Sequence, residues 1–427
     1  MARTKDFSRK DGGYGWVVTA IGFFISAIEL GTFKSFGVFI IPIRESLDCS
    51  ISALGTAMAA SHTACYVLVP LVNILMVRFG PRRLVLGGGV IMFASFLVIS
   101  CARNIAPFSV LLIVWGIGVS LAFVPPHAAV IMYFSTNASL PIGILAAGCA
   151  VGMMIYPPLT ESLITLYGWR GTMLIFAAVN ANVCILGALI KPLPPVYAAL
   201  DTNHSAGDDT TPKKSPTCAL CTDVAKWFSK LLSLDVLLYE PGFTVYALAC
   251  FLLGIIYSAW MIYLVPHAVA RGIGSQPASL LSTAGGVGTL IGRILYGPIL
   301  HREYIKPVTM FILLAFVNIV AFVLDPFVSD NYPGLACLAS VSGLSLGVMA
   351  VLFILVSQQV LQGDNGVRGW GTLCVFFAVG ELAGGAFAGF VYEATGSYEM
   401  SFLLLGGLSA VIVFALAVER LVDRCSG

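Results

Sequence analysis

Residues 11–41 read DGGYGWVVTAIGFFISAIELGTFKSFGVFII. Past the opening six residues the stretch is apolar for long enough to cross a bilayer, since a helix rises about 1.5 Å per residue and roughly 20 residues span the hydrocarbon. Two charges, Glu29 and Lys34, stand inside it. A charge at the centre of a membrane helix costs about 2.5–3.5 kcal/mol on insertion scales, so such residues face a bundle interior or a watery path. The stretch therefore predicts a first membrane helix that also forms part of a site. Tyr14 and Trp16 at its start equally suit an interfacial aromatic belt.

Outward from this run the same pattern repeats. Of 427 residues, 58% are hydrophobic and 10% charged, against roughly 25% charge in a soluble domain. Breakers and run lengths predict twelve spans, near 14–41, 52–77, 84–103, 107–132, 140–164, 170–191, 243–266, 276–300, 305–327, 333–361, 367–392 and 398–421. The fold class is an all-α membrane protein. A closed β-barrel is excluded because the runs lack strand alternation. The N-terminal segment is too polar to read as a signal peptide. Net charge +2 without a basic stripe gives no sign of nucleic acid as a partner, and 11 cysteines scattered through apolar runs do not form a disulfide framework. Pro125-Pro126 and Pro157-Pro158 are expected to kink or break their helices.

The organisation is six spans, a polar interval, six spans: a first half over 1–192, a cytosolic loop over 193–240 and a second half over 241–427. The interval holds PPVYAALDTNHSAGDDTTPKKSP, which cannot bury a core and should be mobile. Within it, 222–236 reads as a short amphipathic helix lying on the membrane. Lys and Arg crowd the even-numbered connections and both tails, while the opposite face carries only Arg44, Arg103, Arg170 and Arg271. That asymmetry places both termini in the cytosol; the multi-pass protein is expected in the plasma membrane.

Asp11-Gly12-Gly13-Tyr14-Gly15-Trp16 resembles the signature that opens the monocarboxylate transporter family of the major facilitator superfamily, and Lys34 in Phe33-Lys-Ser35 sits where that family places an embedded lysine. Arg78-Phe-Gly80-Pro-Arg82-Arg83 resembles the superfamily's cytosolic loop motif, a conformational latch, without its leading Gly and Asp. Tyr133-Phe134 through Gly148 is similar to the family's second signature, without its basic pair. Tyr167-Gly-Trp-Arg-Gly171 and Gly187-Ala-Leu-Ile-Lys-Pro192 look like further landmarks. The resemblance implies a twelve-helix major facilitator fold of two halves rocking about a midplane cavity, with a single-pass ancillary glycoprotein as a further partner.

The resemblance also implies roles. Arg293 takes the place of the arginine that holds the substrate carboxylate, and Phe353 that of the aromatic narrowing the channel. Thr289 stands where proton-coupled members carry the proton-bearing Asp, one turn before the arginine. A hydroxyl has no useful pKa, so the family's proton symport is expected to be weak or absent unless Glu29 or Glu381 has taken the role. These two acids have no family role to inherit. They are expected to pair with Lys34 and Arg293, or to bind a cationic part of a substrate. His62 and His127 read as packing or hydrogen-bonding residues before proton relays. Gly288 and Gly292 predict a close helix neighbour.

The reading is a secondary transporter moving a small monocarboxylate or related organic solute by alternating access, without a cofactor. The alternative is a uniporter for a zwitterionic or neutral metabolite such as an aromatic amino acid or a creatine-like solute. More remote is a non-transporting receptor. An enzyme is not expected, since no clustered His/Asp/Glu or Gly-x-Ser-x-Gly constellation is present.

Overall fold

A computed structural model describes residues 13–134, 139–191, 241–302, 304–328, 331–361 and 364–426. The first half comprises α1 (Tyr14–Leu47), α2 (Ile51–Val67), α3 (Val69–Phe79), α4 (Pro81–Ile99), α5 (Ile105–Tyr133) and α6 (Ser139–Leu189). The second comprises α7 (Pro241–Ala270), α8 (Ser275–His301), α9 (Pro307–Leu324), a 3-10 turn (Asp325–Val328), α10 (Tyr332–Val360), α11 (Asp364–Thr395) and α12 (Tyr398–Ser426). No strand occurs among the described residues.

Among the described residues ten helices are long and apolar enough to cross a membrane, and α2 with α3 form an eleventh span, bent by 43°. The tenfold count takes α6 as one, yet its 51 residues would run about 77 Å. Gly168, at φ 66°, breaks the helix inside it, a conformation that glycine adopts without steric cost. α6 is thus long enough for two spans, which makes twelve among the described residues. The bend between α2 and α3 falls at Leu68, just before Pro70, whose missing N–H leaves the carbonyl one turn back without its helical partner. The amphipathic segment 222–236 lies outside the described residues.

The proline pairs do not break their helices: Pro125-Pro126 and Pro157-Pro158 sit inside helical segments that continue through them. One freed carbonyl finds a substitute. Pro158 cannot donate to Met154 O, and the Thr283 hydroxyl of α8 donates to it instead, at 2.7 Å. In a membrane, helix-breaking residues persist where a neighbour satisfies the backbone in this way.

α1 packs on the first segment of α6, with Gly22 against Leu145 and Gly31 against Tyr156. α4 packs on the second segment, with Gly89 against Cys184. The halves meet where α2 lies against α11, α1 against α7, and the first segment of α6 against α8. One hydrophobic core runs through both. At the face opposite the termini, Glu393 of α11 accepts from the Ser52 N–H and hydroxyl in the first turn of α2, at 2.9 and 3.0 Å, and Tyr263 of α7 donates to Gly385 O at 2.7 Å. A Cβ at Gly55 would come within 2.5 Å of Gly385 O, so the backbones of α2 and α11 are in direct contact there. α3 instead packs on α4 and α5 of its own half. The bend at Leu68 therefore divides a segment shared between the halves from one belonging to the first half alone. Gly288 and Gly292 take the close neighbour expected of them, the backbones of Ser340 and Leu344 on α10.

Candidate functional site

Three buried ionisable groups meet near the middle of the bundle. His62 of α2 faces Glu29 of α1 through Nε2, at 3.0 Å, and Glu381 of α11 through Nδ1, at 2.9 and 3.0 Å to its two carboxylate oxygens. None of the three is more than 2% exposed. The ring stacks on Phe33 at 3.9 Å and meets Tyr66 edge-on at 4.9 Å. Two members come from the first half and one from the second, so the triad crosses the interface that alternating access would open. Among the described residues no cluster of His, Cys, Asp or Glu can hold a metal ion.

The cations lie elsewhere. Lys34, fully buried, donates from Nζ to the Trp260 carbonyl of α7 at 3.0 Å and sits over the Trp260 ring at 3.8 Å. Arg293 of α8, half-buried, donates to the Ala146 carbonyl of α6 at 2.5 Å and lies beside Cys149; its Nε is buried without a partner. Each cation thus reaches from its own half to a neutral main-chain oxygen of the other. The expected pairing of the glutamates with Lys34 and Arg293 does not form: among the described residues neither cation has a carboxylate partner, and both glutamates are taken by His62. Geometry on α1 explains part of this. Five residues separate Glu29 from Lys34, which turns them to different faces of the helix.

Thr289 is buried, but its hydroxyl donates to Gly285 O at 3.0 Å and to Gly343 O of α10 at 2.8 Å. It holds α8 against α10 inside the second half. Phe353 packs edge-on against Phe377 at 5.0 Å, and Phe377 touches Tyr66 and Tyr257. It lies two rings away from His62. Tyr257 and Cys149 are near Arg293, Tyr257 also near both glutamates and Cys149 near Glu29.

A model of the Major Facilitator Superfamily matches residues 19–371. The chain belongs to the major facilitator superfamily. Its curated relatives include human monocarboxylate transporter 11, 27% identical over 405 residues, covering 93% of this chain and 81% of that protein. Human monocarboxylate transporter 12 is 25% identical over 441 residues, 99% of this chain and 83% of that protein. Monocarboxylate transporter 13 of Rattus norvegicus is 26% identical over 398 residues, 93% of this chain and 86% of that protein. Among solved structures, the nucleoside transporter NupG superposes with a TM-score of 0.71 at 12% identity, covering 96% of this chain and 99% of that one. A bacterial homologue of the human lysosomal transporter Spinster, inward-facing and unoccupied, gives 0.66 at 13%, covering 96% of both chains. These structural likenesses show the twelve-helix fold. The protein is a membrane transporter and not an enzyme.

In this major facilitator the opening signature meets the ends of α5 and α6 at one corner, on the face of the termini, whereas Arg170 of the Tyr167–Gly171 landmark lies at the opposite face, donating to Ser46 Oγ at 3.1 Å and to Ala102 O at 2.9 Å. Gly13, at φ 61°, starts α1. The Tyr14 hydroxyl donates to Leu189 O, Lys191 sits over the Tyr14 ring at 4.1 Å, and Trp16 meets Phe134 edge-on at 5.2 Å. A Cβ at Gly15 would come within 2.8 Å of the Phe134 ring. The signature therefore ties the start of α1 to the ends of α5 and α6; it is scaffold at this position. Asp11 and Gly12 lie outside the described residues. Arg78, Arg82 and Arg83 flank Gly80 (φ 77°) with exposed side chains, and no ion pair forms at them among the described residues. Sequence reasoning missed His62 as the centre of the site. The available signal was a count: two acids are embedded in apolar spans, one of them on a different face of its helix from the neighbouring Lys34, and require some other donor.

Proposed function

We propose that the protein carries a small monocarboxylate, or a related organic solute bearing a carboxylate, across the plasma membrane by alternating access, with Lys34 and Arg293 as its carboxylate-binding groups and without the usual Asp-based proton coupling. One observation carries this reading. Two embedded cations, one on each half, donate across the interface to neutral carbonyls, and Arg293 keeps a buried N–H without any acceptor. Charge-assisted hydrogen bonds to a carboxylate are roughly twice as strong as those to a neutral oxygen. A carboxylate entering between the halves would replace the carbonyls and fill the open donor. Phe353 borders this region through Phe377. The two halves correspond to 1–192 and 241–427, with both termini and the intervening loop in the cytosol, as the loop charges support.

A second reading has an observation of its own. Glu29 and Glu381 bring negative charge into the same buried interior as Lys34, which suits a zwitterion carried without a coupling ion. Uptake into proteoliposomes separates the two. A panel of labelled short-chain 2-hydroxy and 2-oxo acids, amino acids and amines should show transport of the acids and competition among them. Transport of amino acids alone would favour the uniporter. No uptake of any organic solute, with intact ligand binding, would indicate a receptor.

A further inference from the structure

The sequence offered no proton carrier at position 289, and the structure assembles one elsewhere. Each of the two His62 contacts requires one proton between a ring nitrogen and a carboxylate oxygen, at 3.0 Å to Glu29 and 2.9 Å to Glu381. Two protons therefore serve three groups, and the triad carries a net charge of −1 whichever atoms hold them. Phe33 covers one ring face, and no residue of the triad has more than marginal solvent contact.

Parting of the halves breaks this arrangement unevenly. Glu29 and His62 stay with the first half, and Glu381 leaves with α11. Two protons cannot neutralise both fragments. Either Glu381 departs as a bare carboxylate, or it takes a proton and strands Glu29 against a neutral imidazole. A third proton resolves this: Glu381 leaves as the neutral acid, and the imidazolium–Glu29 pair is neutral on its side. Isolated buried charge is heavily penalised, so parting with the third proton is favoured over parting without it. The groups facing the triad do not remove the need. The thiols and phenols around the triad, Cys65 and Tyr66 of α2, Cys149 of α6, Tyr257 of α7 and Cys374 of α11, are neutral by their ordinary pKa values of about 8.5 and about 10. Arg293 of α8, with His127 of α5 beside it, donates to Ala146 O, while Lys34 is turned to Trp260.

We propose that His62, Glu29 and Glu381 form a proton-binding latch between the halves, taking up one proton from solution when the ends of the halves opposite the termini part and releasing it when they close. The proposal rests on the alternating-access reading above and specifies what moves with the reorientation. Proton uptake at the triad would couple transport to a proton gradient without an Asp at position 289.

The test needs no solute. Dyes on non-canonical amino acids at Glu45 of α1 and Ala394 of α11, both exposed, report in lipid nanodiscs whether those ends are together or apart. From about pH 8 to about pH 5.5 the ratio of parted to closed molecules should rise, by at most about tenfold per pH unit for one proton. Glu381→Gln, a neutral stand-in for the protonated acid, should raise the ratio and make it independent of pH; Glu381→Asp should keep the slope. A ratio that stays flat with pH in the unmodified sequence would overturn the proposal, and this holds even if Glu381→Gln fails to fold. A wild-type slope retained in Glu381→Gln would overturn it as well. Because no solute is present, failure of the latch is read separately from failure of the carboxylate panel.

Discussion

Replacing His62 by leucine is the sharpest perturbation of the site. The substitution removes the shared partner of two buried carboxylates, neither more than 2% exposed. Breaking a buried pair by deleting one partner costs about 3–5 kcal/mol, because the remaining charge is uncompensated. At about 1.4 kcal/mol per factor of ten, that is roughly a hundred- to several-thousandfold in the folded population. Replacing the whole network by apolar groups of similar size is often neutral or stabilising. His62→Leu should therefore lower the thermal midpoint by several degrees, and the triple variant His62→Leu/Glu29→Leu/Glu381→Leu should recover most of the loss. Tryptophan fluorescence in detergent micelles reads this directly, since Trp115 and Trp260 are buried in the two halves. A His62→Leu protein that melts with wild type, or a triple variant no better than the single one, would refute the reasoning: the three groups would then not act as one network.

Thr283→Val should cost about 0.6–1.7 kcal/mol, the range for hydrogen bonds between membrane helices. Pro158→Ala in that background should return an N–H to Met154 O and recover part of the loss, measurable as non-additivity in a thermal double-mutant cycle. Gly55→Leu should reduce uptake at least about tenfold with surface expression retained, since a Cβ there meets Gly385 O at 2.5 Å; unchanged uptake would show that α2 and α11 need not approach so closely. Tags at residues 1 and 427 should be labelled only after cells are permeabilised, and labelling of intact cells would reverse the topology.

Much of the fold is written in run length. A bilayer demands about 20 apolar residues per helix, so twelve spans could be read from polarity, including the break near Gly168. The proline pairs do not break their helices, because a helix tolerates proline where another chain segment repairs the backbone. Nothing local at Pro158 announces Thr283, 125 residues away. Lys34 and Arg293 stood out because embedded charges are costly. Their partners did not, because Trp260 O and Ala146 O are main-chain atoms without a sequence signature. His62 was legible as a polar residue in an apolar run, but its role depends on α1 and α11 converging on it, which is a property of the packed bundle. Thr289 fell in a substrate position by resemblance, yet its hydroxyl is held by Gly343 O.

The central claim is that a carboxylate binds between the halves at Arg293. Uptake of a labelled short-chain monocarboxylate into proteoliposomes, compared among wild type, Arg293→Ala and Arg293→Lys, tests it most directly. The account predicts that Arg293→Ala abolishes uptake with the protein still folded, and that Arg293→Lys recovers little, since a point charge does not reproduce the planar fork. Wild-type uptake in Arg293→Ala would contradict it.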